Sequence, residues 1–223
     1  MYALFTQALL AYSVLIGGDS ISIGYTTPVT LNLSDTATVE RITFENGATL
    51  NWQTTAYAIE NVMPRLEGRY WDVIHANCGT WDVTTWRGIT PEIYEANLRT
   101  LVYILKQHCN ILIFATTTPV VETATSQSTG RTNARIEEYN TILKRVMLEE
   151  GVPVDDLYSA MSGKQEIYTI DNLHFNEAGY DLLAKSVAKT IEEEMNPPML
   201  PISGTTLIVC AFVLLYLVYE RRK

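Results

Sequence analysis

The sequence predicts an α/β protein with one parallel sheet covered by helices on both faces. Three observations predict it. Short apolar, β-branched runs alternate with longer runs of helical periodicity. The connections between them are short, as strand–helix units require. The Gly-, Asn- and Asp-bearing clusters fall just after the strand-like runs, where open α/β sheets bind ligands.

The elements follow in order. Residues 13–17 read as a short buried strand and residues 38–44 as a second. Residues 54–67 form a helix, with Ala56, Ile59, Val62, Met63 and Leu66 on its apolar face. Residues 71–77, apolar and β-branched, are a third strand. Thr90 as N-cap and Pro91 at the first helical position start a helix that runs to about His108. Residues 110–115 are a fourth strand, and the Ser/Thr-rich stretch 122–132 reads as a loop. A helix over 134–150, a short fifth strand over 152–155 and a closing helix over 177–194 complete the pattern. Leu182, Leu183, Val187 and Ile191 face inward from that last helix. There is no internal repeat. One domain spans residues 1–195, followed by a linker over 196–201, an apolar helix over 202–220 and a basic tail over 221–223.

Composition narrows the partners. The chain has 223 residues with 16 basic and 25 acidic side chains, a net charge of −9. Removing the basic tail makes the remainder more acidic still. Such a surface repels phosphate backbones, so nucleic acid is not an expected partner. The three cysteines, Cys78, Cys109 and Cys210, lie in apolar or helical runs and have no zinc-ligand spacing. They read as structural thiols. No metal or other cofactor is expected.

The clusters after the strands carry the chemistry. A serine needs a base to remove its proton, histidine is the natural one, and the imidazole needs an acceptor for its second N–H. Of the three histidines, His75 lies inside a strand and His108 ends a helix. His174 alone lies in a loop with a carboxylate, Asp171, three residues earlier. Gly-Gly-Asp-Ser over residues 17–20 follows the first strand and offers Ser20 as nucleophile. Either fragment alone is an ordinary turn or cap. Their placement, one after the first strand and one before the last helix, makes them a candidate triad.

These residues resemble the SGNH/GDSL hydrolases. Val14 through Ser22 (VLIGGDSIS) looks like the family's first block, Asn46-Gly47 fits the second, Gly79-Thr80-Trp81-Asp82 occupies the third, and Asp171-Asn172-Leu173-His174-Phe175 fits the fifth. The resemblance implies a flavodoxin-like three-layer sandwich that hydrolyses acyl or acetyl esters of a small molecule, lipid or glycan. Ser20 would attack, His174 would act as base and then acid, and Asp171 would orient it. The N–H groups of Ser20 and Gly47 would hold the oxyanion. One departure stands out: the third block usually carries Asn where this chain has Trp81. Either Asn77 supplies an amide, or the Trp81 indole N–H does, or two donors suffice. Trp81 and Trp86 are also expected near the site, to stack on substrate or to pack in the core. The departure at Trp81 leaves an alternative, a catalytically weakened domain that binds glycans.

The ends read differently. Residues 199–219 carry no charge and are long enough to cross a bilayer, with Arg221, Arg222 and Lys223 beyond them. The expectation is a single-pass C-terminal transmembrane helix with the catalytic domain on the non-cytoplasmic side. Residues 1–16, apolar and uncharged, serve either as an export signal or as the approach to strand one. The competing topology is a tail anchor with the domain in the cytosol. Protease added to sealed vesicles separates the two.

Overall fold

The computed structural model describes residues 11–197. The expected C-terminal transmembrane helix and most of the expected signal segment lie outside them. Among the described residues, no helix is long and apolar enough to cross a membrane.

Five strands, β1 (Tyr12–Gly18), β2 (Ala37–Arg41), β3 (Trp71–Asn77), β4 (Cys109–Ala115) and β5 (Val154–Asp155), form one sheet in the order β2-β1-β3-β4-β5. Every pairing is parallel. This is the flavodoxin-like order, reversing direction beside β1. The central strands are buried on both faces, so their residues alternate between two cores rather than between core and water. Leu15, Ile74, Leu112 and Phe114 pack against α2 (Thr55–Leu66), α3 (Pro91–Lys106) and α5 (Asn133–Glu150). Val14, Ile16, Val73 and Ile113 pack against α1 (Ser20–Asn32), α6 (Leu157–Met161) and α8 (Glu177–Met195). The three layers are thus as expected.

Helix α1 is absent from the sequence reading, because Gly24, Pro28 and several threonines are poor helix formers. It forms because Ile21, Tyr25 and Val29 recur every fourth residue and bury completely, and because Asp19 caps it through a bond from the Ile21 N–H. Gly24 is required by close packing, since a Cβ there would lie 2.1 Å from the ring of Tyr180 on α8.

Several boundaries differ from expectation. Strand β2 ends at Arg41 because the chain folds back on itself, with an antiparallel bridge between Thr43 and Thr49. The buried face of α2 runs through Thr55, Ala58, Val62 and Leu66, which turns Met63 to solvent and leaves Ala56 half-buried. The stretch 122–132 is not all loop. Its Ser and Thr residues cap their own helical turn, α4 (Ala124–Ser128), through a reciprocal pair between Thr123 and Ser126. A further short helix, α7 (Gln165–Tyr168), precedes the Asp171 loop.

Candidate active site

The nucleophile candidate lies at the junction of β1 and α1. The carboxylate of the cap residue, Asp19, is fully buried, and its Oδ1 accepts from Ile21 N–H at 3.0 Å and Asn77 Nδ2 at 2.8 Å. A half-buried arginine braces the junction. Arg41 donates to the Gly18 carbonyl at 2.7 Å and to Ser22 Oγ at 2.6 Å. Burial lowers its pKa to about 10. Nothing in the sequence marked Arg41 as a support, because its partners lie on β1 and α1. Ser20 is the first residue of α1, so its N–H has no partner in the helix's own ladder and points with the positive end of the helix dipole.

The Asp171–His174 turn meets this junction. Ser20 Oγ lies 2.8 Å from His174 Nε2, and His174 Nδ1 lies 2.7 Å from Asp171 Oδ2. The other carboxylate oxygen, Asp171 Oδ1, accepts from the N–H groups of His174 at 2.7 Å and Leu173 at 3.1 Å. The turn needs a left-handed residue, supplied by Asn172 at φ 69°. Buried Phe175 and the Asn176 cap of α8 anchor its far side. Partial burial raises the Asp171 pKa, but the bonds from the His174 ring and the two N–H groups outweigh it and hold the carboxyl below its usual range. Asp171 therefore stays ionised at neutral pH and fixes the imidazole with Nε2 toward Ser20.

The other histidines are engaged elsewhere. His75 is buried, with Nε2 3.1 Å from Asp155 Oδ2. His108 Nδ1 lies 3.1 Å from the Arg69 carbonyl. Cys78 and Cys109 are buried free thiols. Among the described residues, no group of three or more His, Cys, Asp or Glu is placed to hold a metal.

Two of the expected oxyanion donors have other partners. The Gly47 N–H closes the exposed turn after β2 by donating to the Phe44 carbonyl at 3.0 Å. The Asn77 amide gives one of its two N–H groups to Asp19, which ties it to the nucleophile junction. By contrast, the Trp81 indole Nε1 is buried with no acceptor among the described residues, and an unmet buried donor costs stability unless a ligand or water satisfies it. Neither Trp81 nor Trp86 belongs to the core. Their rings meet edge to face at 6.3 Å, the Arg87 guanidinium lies against both, and Trp86 is 60% exposed.

Beneath Trp81, Asp82 ties the third block to α2. Its Oδ1 accepts from Thr55 Oγ1 at 2.6 Å and Thr55 N–H at 2.9 Å. Burial raises its pKa to about 6 despite those bonds. The unfolded chain, with a carboxyl pKa near ~3.9, binds fewer protons there than the folded one between these values. Stability from this group is therefore full below pH ~4 and is lost as pH rises through about 6, by roughly 3 kcal/mol in all. Asp82→Asn does not titrate. The unfolding free energy of wild type minus that of Asp82→Asn should fall by about that amount from pH ~4 to ~8 in urea titrations. A pH-independent difference would show that Asp82 is not perturbed.

The comparisons agree with this architecture. The model of the GDSL-like lipase/acylhydrolase family matches residues 17–182. No curated protein matches the chain. Among solved structures, the lipase/acylhydrolase of Enterococcus faecalis is similar with a TM-score of 0.69 at 22% identity, covering 82% of this chain and 96% of that one. A GDSL-like lipase of Bacteroides thetaiotaomicron gives 0.67 at 16% identity, covering 82% and 89%. An acetylxylan esterase of Geobacillus stearothermophilus gives 0.61 at 19% identity, covering 82% and 95%. At these identities the solved structures establish a shared fold.

Proposed function

Given that the chain belongs to the GDSL-like lipase/acylhydrolase family and is a serine carboxylic ester hydrolase, we propose that Ser20, His174 and Asp171 form its triad and that it cleaves acyl or acetyl esters of a glycan or lipid. One observation carries this reading: an unbroken line of contacts from Ser20 Oγ through His174 to Asp171, at 2.8 and 2.7 Å, above the carboxyl ends of the strands.

In this mechanism Ser20 Oγ attacks the ester carbonyl carbon while His174 Nε2 takes its proton. The imidazolium, held by the ionised Asp171, then protonates the leaving alkoxide, and the alcohol departs. Water, deprotonated by His174, attacks the acyl-enzyme and releases the acid and Ser20. The negative charge on the tetrahedral oxygen is held by the Ser20 N–H at the start of α1 and by the Trp81 indole N–H, whose nitrogen is buried with no acceptor among the described residues. Exposed Trp86 offers a ring face to a sugar or acyl chain.

A fluorophosphonate probe tests the assignment. Covalent labelling of Ser20, with turnover of short acyl esters such as 4-nitrophenyl acetate, is expected. Absence of both would favour the binding-module alternative. In the same assay Trp81→Phe, which removes the indole N–H together with one ring of the indole, should lower kcat roughly 10²- to 10³-fold. An unchanged kcat would leave Ser20 without the indole as co-donor.

A further inference from the structure

A cleft of about 390 Å³ opens beside the triad, lined by Asp171, Leu173, Val120, Ser126 and Arg131 among others. Arg131, in the link between α4 and α5, is half-buried in a chain whose net charge is −9. The surface arginines Arg99 and Arg145 both pair with Glu95. Arg131 has no ion-pair partner among the described residues. Its only side-chain bond among the described residues is from Nε to the Thr80 carbonyl at 3.0 Å. That bond fixes the plane of the guanidinium and leaves both Nη groups as a free fork. The Trp81 ring lies 5.9 Å away. The nearest acidic groups acting on Arg131 are Asp19 and Asp171. Asp19 Oδ1 is engaged by Ile21 and Asn77 while its buried Oδ2 has no partner among the described residues, Asp171 is turned toward His174, and neither carboxylate is bonded to the fork.

A half-desolvated, oriented guanidinium whose Nη groups are unbonded matches a planar oxyanion better than a neutral group. We propose that Arg131 is a specificity-determining residue that binds a carboxylate on the substrate, so that the preferred ester carries a carboxylate within one cleft's width of its scissile bond. This rests on the reading of Ser20 as the nucleophile. It covers two sources of the same chemistry, a carboxylate on the alcohol side, as in an acetylated acidic sugar, and one on the acyl side, as in a half-ester of a diacid. Asp171 also faces the cleft, but its oxygens are engaged by the His174 ring and by the N–H groups of His174 and Leu173, which offset its charge.

Paired esters test this. On the alcohol side, 3-acetoxybenzoate is compared with methyl 3-acetoxybenzoate, and on the acyl side monophenyl succinate is compared with phenyl butyrate. Wild type is expected to favour the anionic member of at least one pair in kcat/KM. Arg131→Gln should reduce that ratio by about 10- to 100-fold, with partial recovery in Arg131→Lys. A second readout does not need turnover: binding of 3-acetoxybenzoate and monophenyl succinate to Ser20→Ala, by calorimetry, with and without Arg131→Gln. If wild type cleaves the neutral esters with no anionic preference in either pair, the carboxylate site is overturned and the hydrolase reading stands. If nothing is cleaved but an anionic ester binds in an Arg131-dependent way, the hydrolase reading falls and the site stands. Because wild type alone can show that preference to be absent, a poorly folded variant does not shield the proposal.

Discussion

Ser20→Ala is expected to lower kcat/KM for 4-nitrophenyl acetate by about 10³- to 10⁵-fold and to abolish fluorophosphonate labelling. The protein should nevertheless remain folded. The hydroxyl's contact is with His174, and alanine suits the first turn of a helix, so the change in unfolding free energy should stay within about 0.5 kcal/mol. His174→Ala should cost a similar factor. The double variant should be hardly worse than either single one, because a nucleophile and its base act as a unit and their losses do not add. Retention of more than roughly one part in a hundred of the wild-type rate by Ser20→Ala would remove Ser20 from the nucleophile's role.

The two halves of the proposed triad are legible in the sequence because each is local. Asp171 and His174 lie within one turn, and Ser20 follows directly on a strand whose apolar run is unmistakable. Only their meeting needed the fold. The sequence leaves a choice among oxyanion donors, Ser20, Gly47, Asn77 and the Trp81 indole, because a donor's availability depends on what else accepts from it. Asn77 is in register with Gly18 on the neighbouring strand, which turns its amide toward Asp19. Gly47 closes the turn that the Asn46-Gly47 pair announces, and its N–H goes to the Phe44 carbonyl. Helix α1 was hidden for a related reason: three side chains burying against α8 and the sheet override a run of poor helix formers. Arg131 lies in the Ser/Thr-rich stretch 122–132, where nothing short of the cleft itself distinguishes it from a solvent-facing arginine.

The tightest point of the site is Gly18, and Gly18→Ala is expected to destabilise the protein by about 3–5 kcal/mol. Two costs combine. Gly18 has φ 141°, a region closed to residues with a Cβ. A Cβ there would also lie 1.9 Å from Asn77 Oδ1 and 2.6 Å from the Asn77 carbonyl oxygen. Neither atom is free to retreat. The side chain is held by its bond to Asp19, and the carbonyl belongs to the backbone of β3. Gly68→Ala separates the two costs, since Gly68 has φ 70° and open space around it; it should lose only about 1–2 kcal/mol. Activity adds a second measure. The Gly18 carbonyl accepts from Trp52 N–H and from Arg41, so relief of the clash moves Asp19 and Ser20 together. A displacement of about 1 Å at the nucleophile is enough to cost roughly 100-fold in rate. Urea unfolding of both variants, beside their kcat/KM on 4-nitrophenyl acetate, decides the matter: equal stability losses at Gly18 and Gly68 would mean that Asn77 yields, and that the junction is not the rigid mount for Ser20 described here.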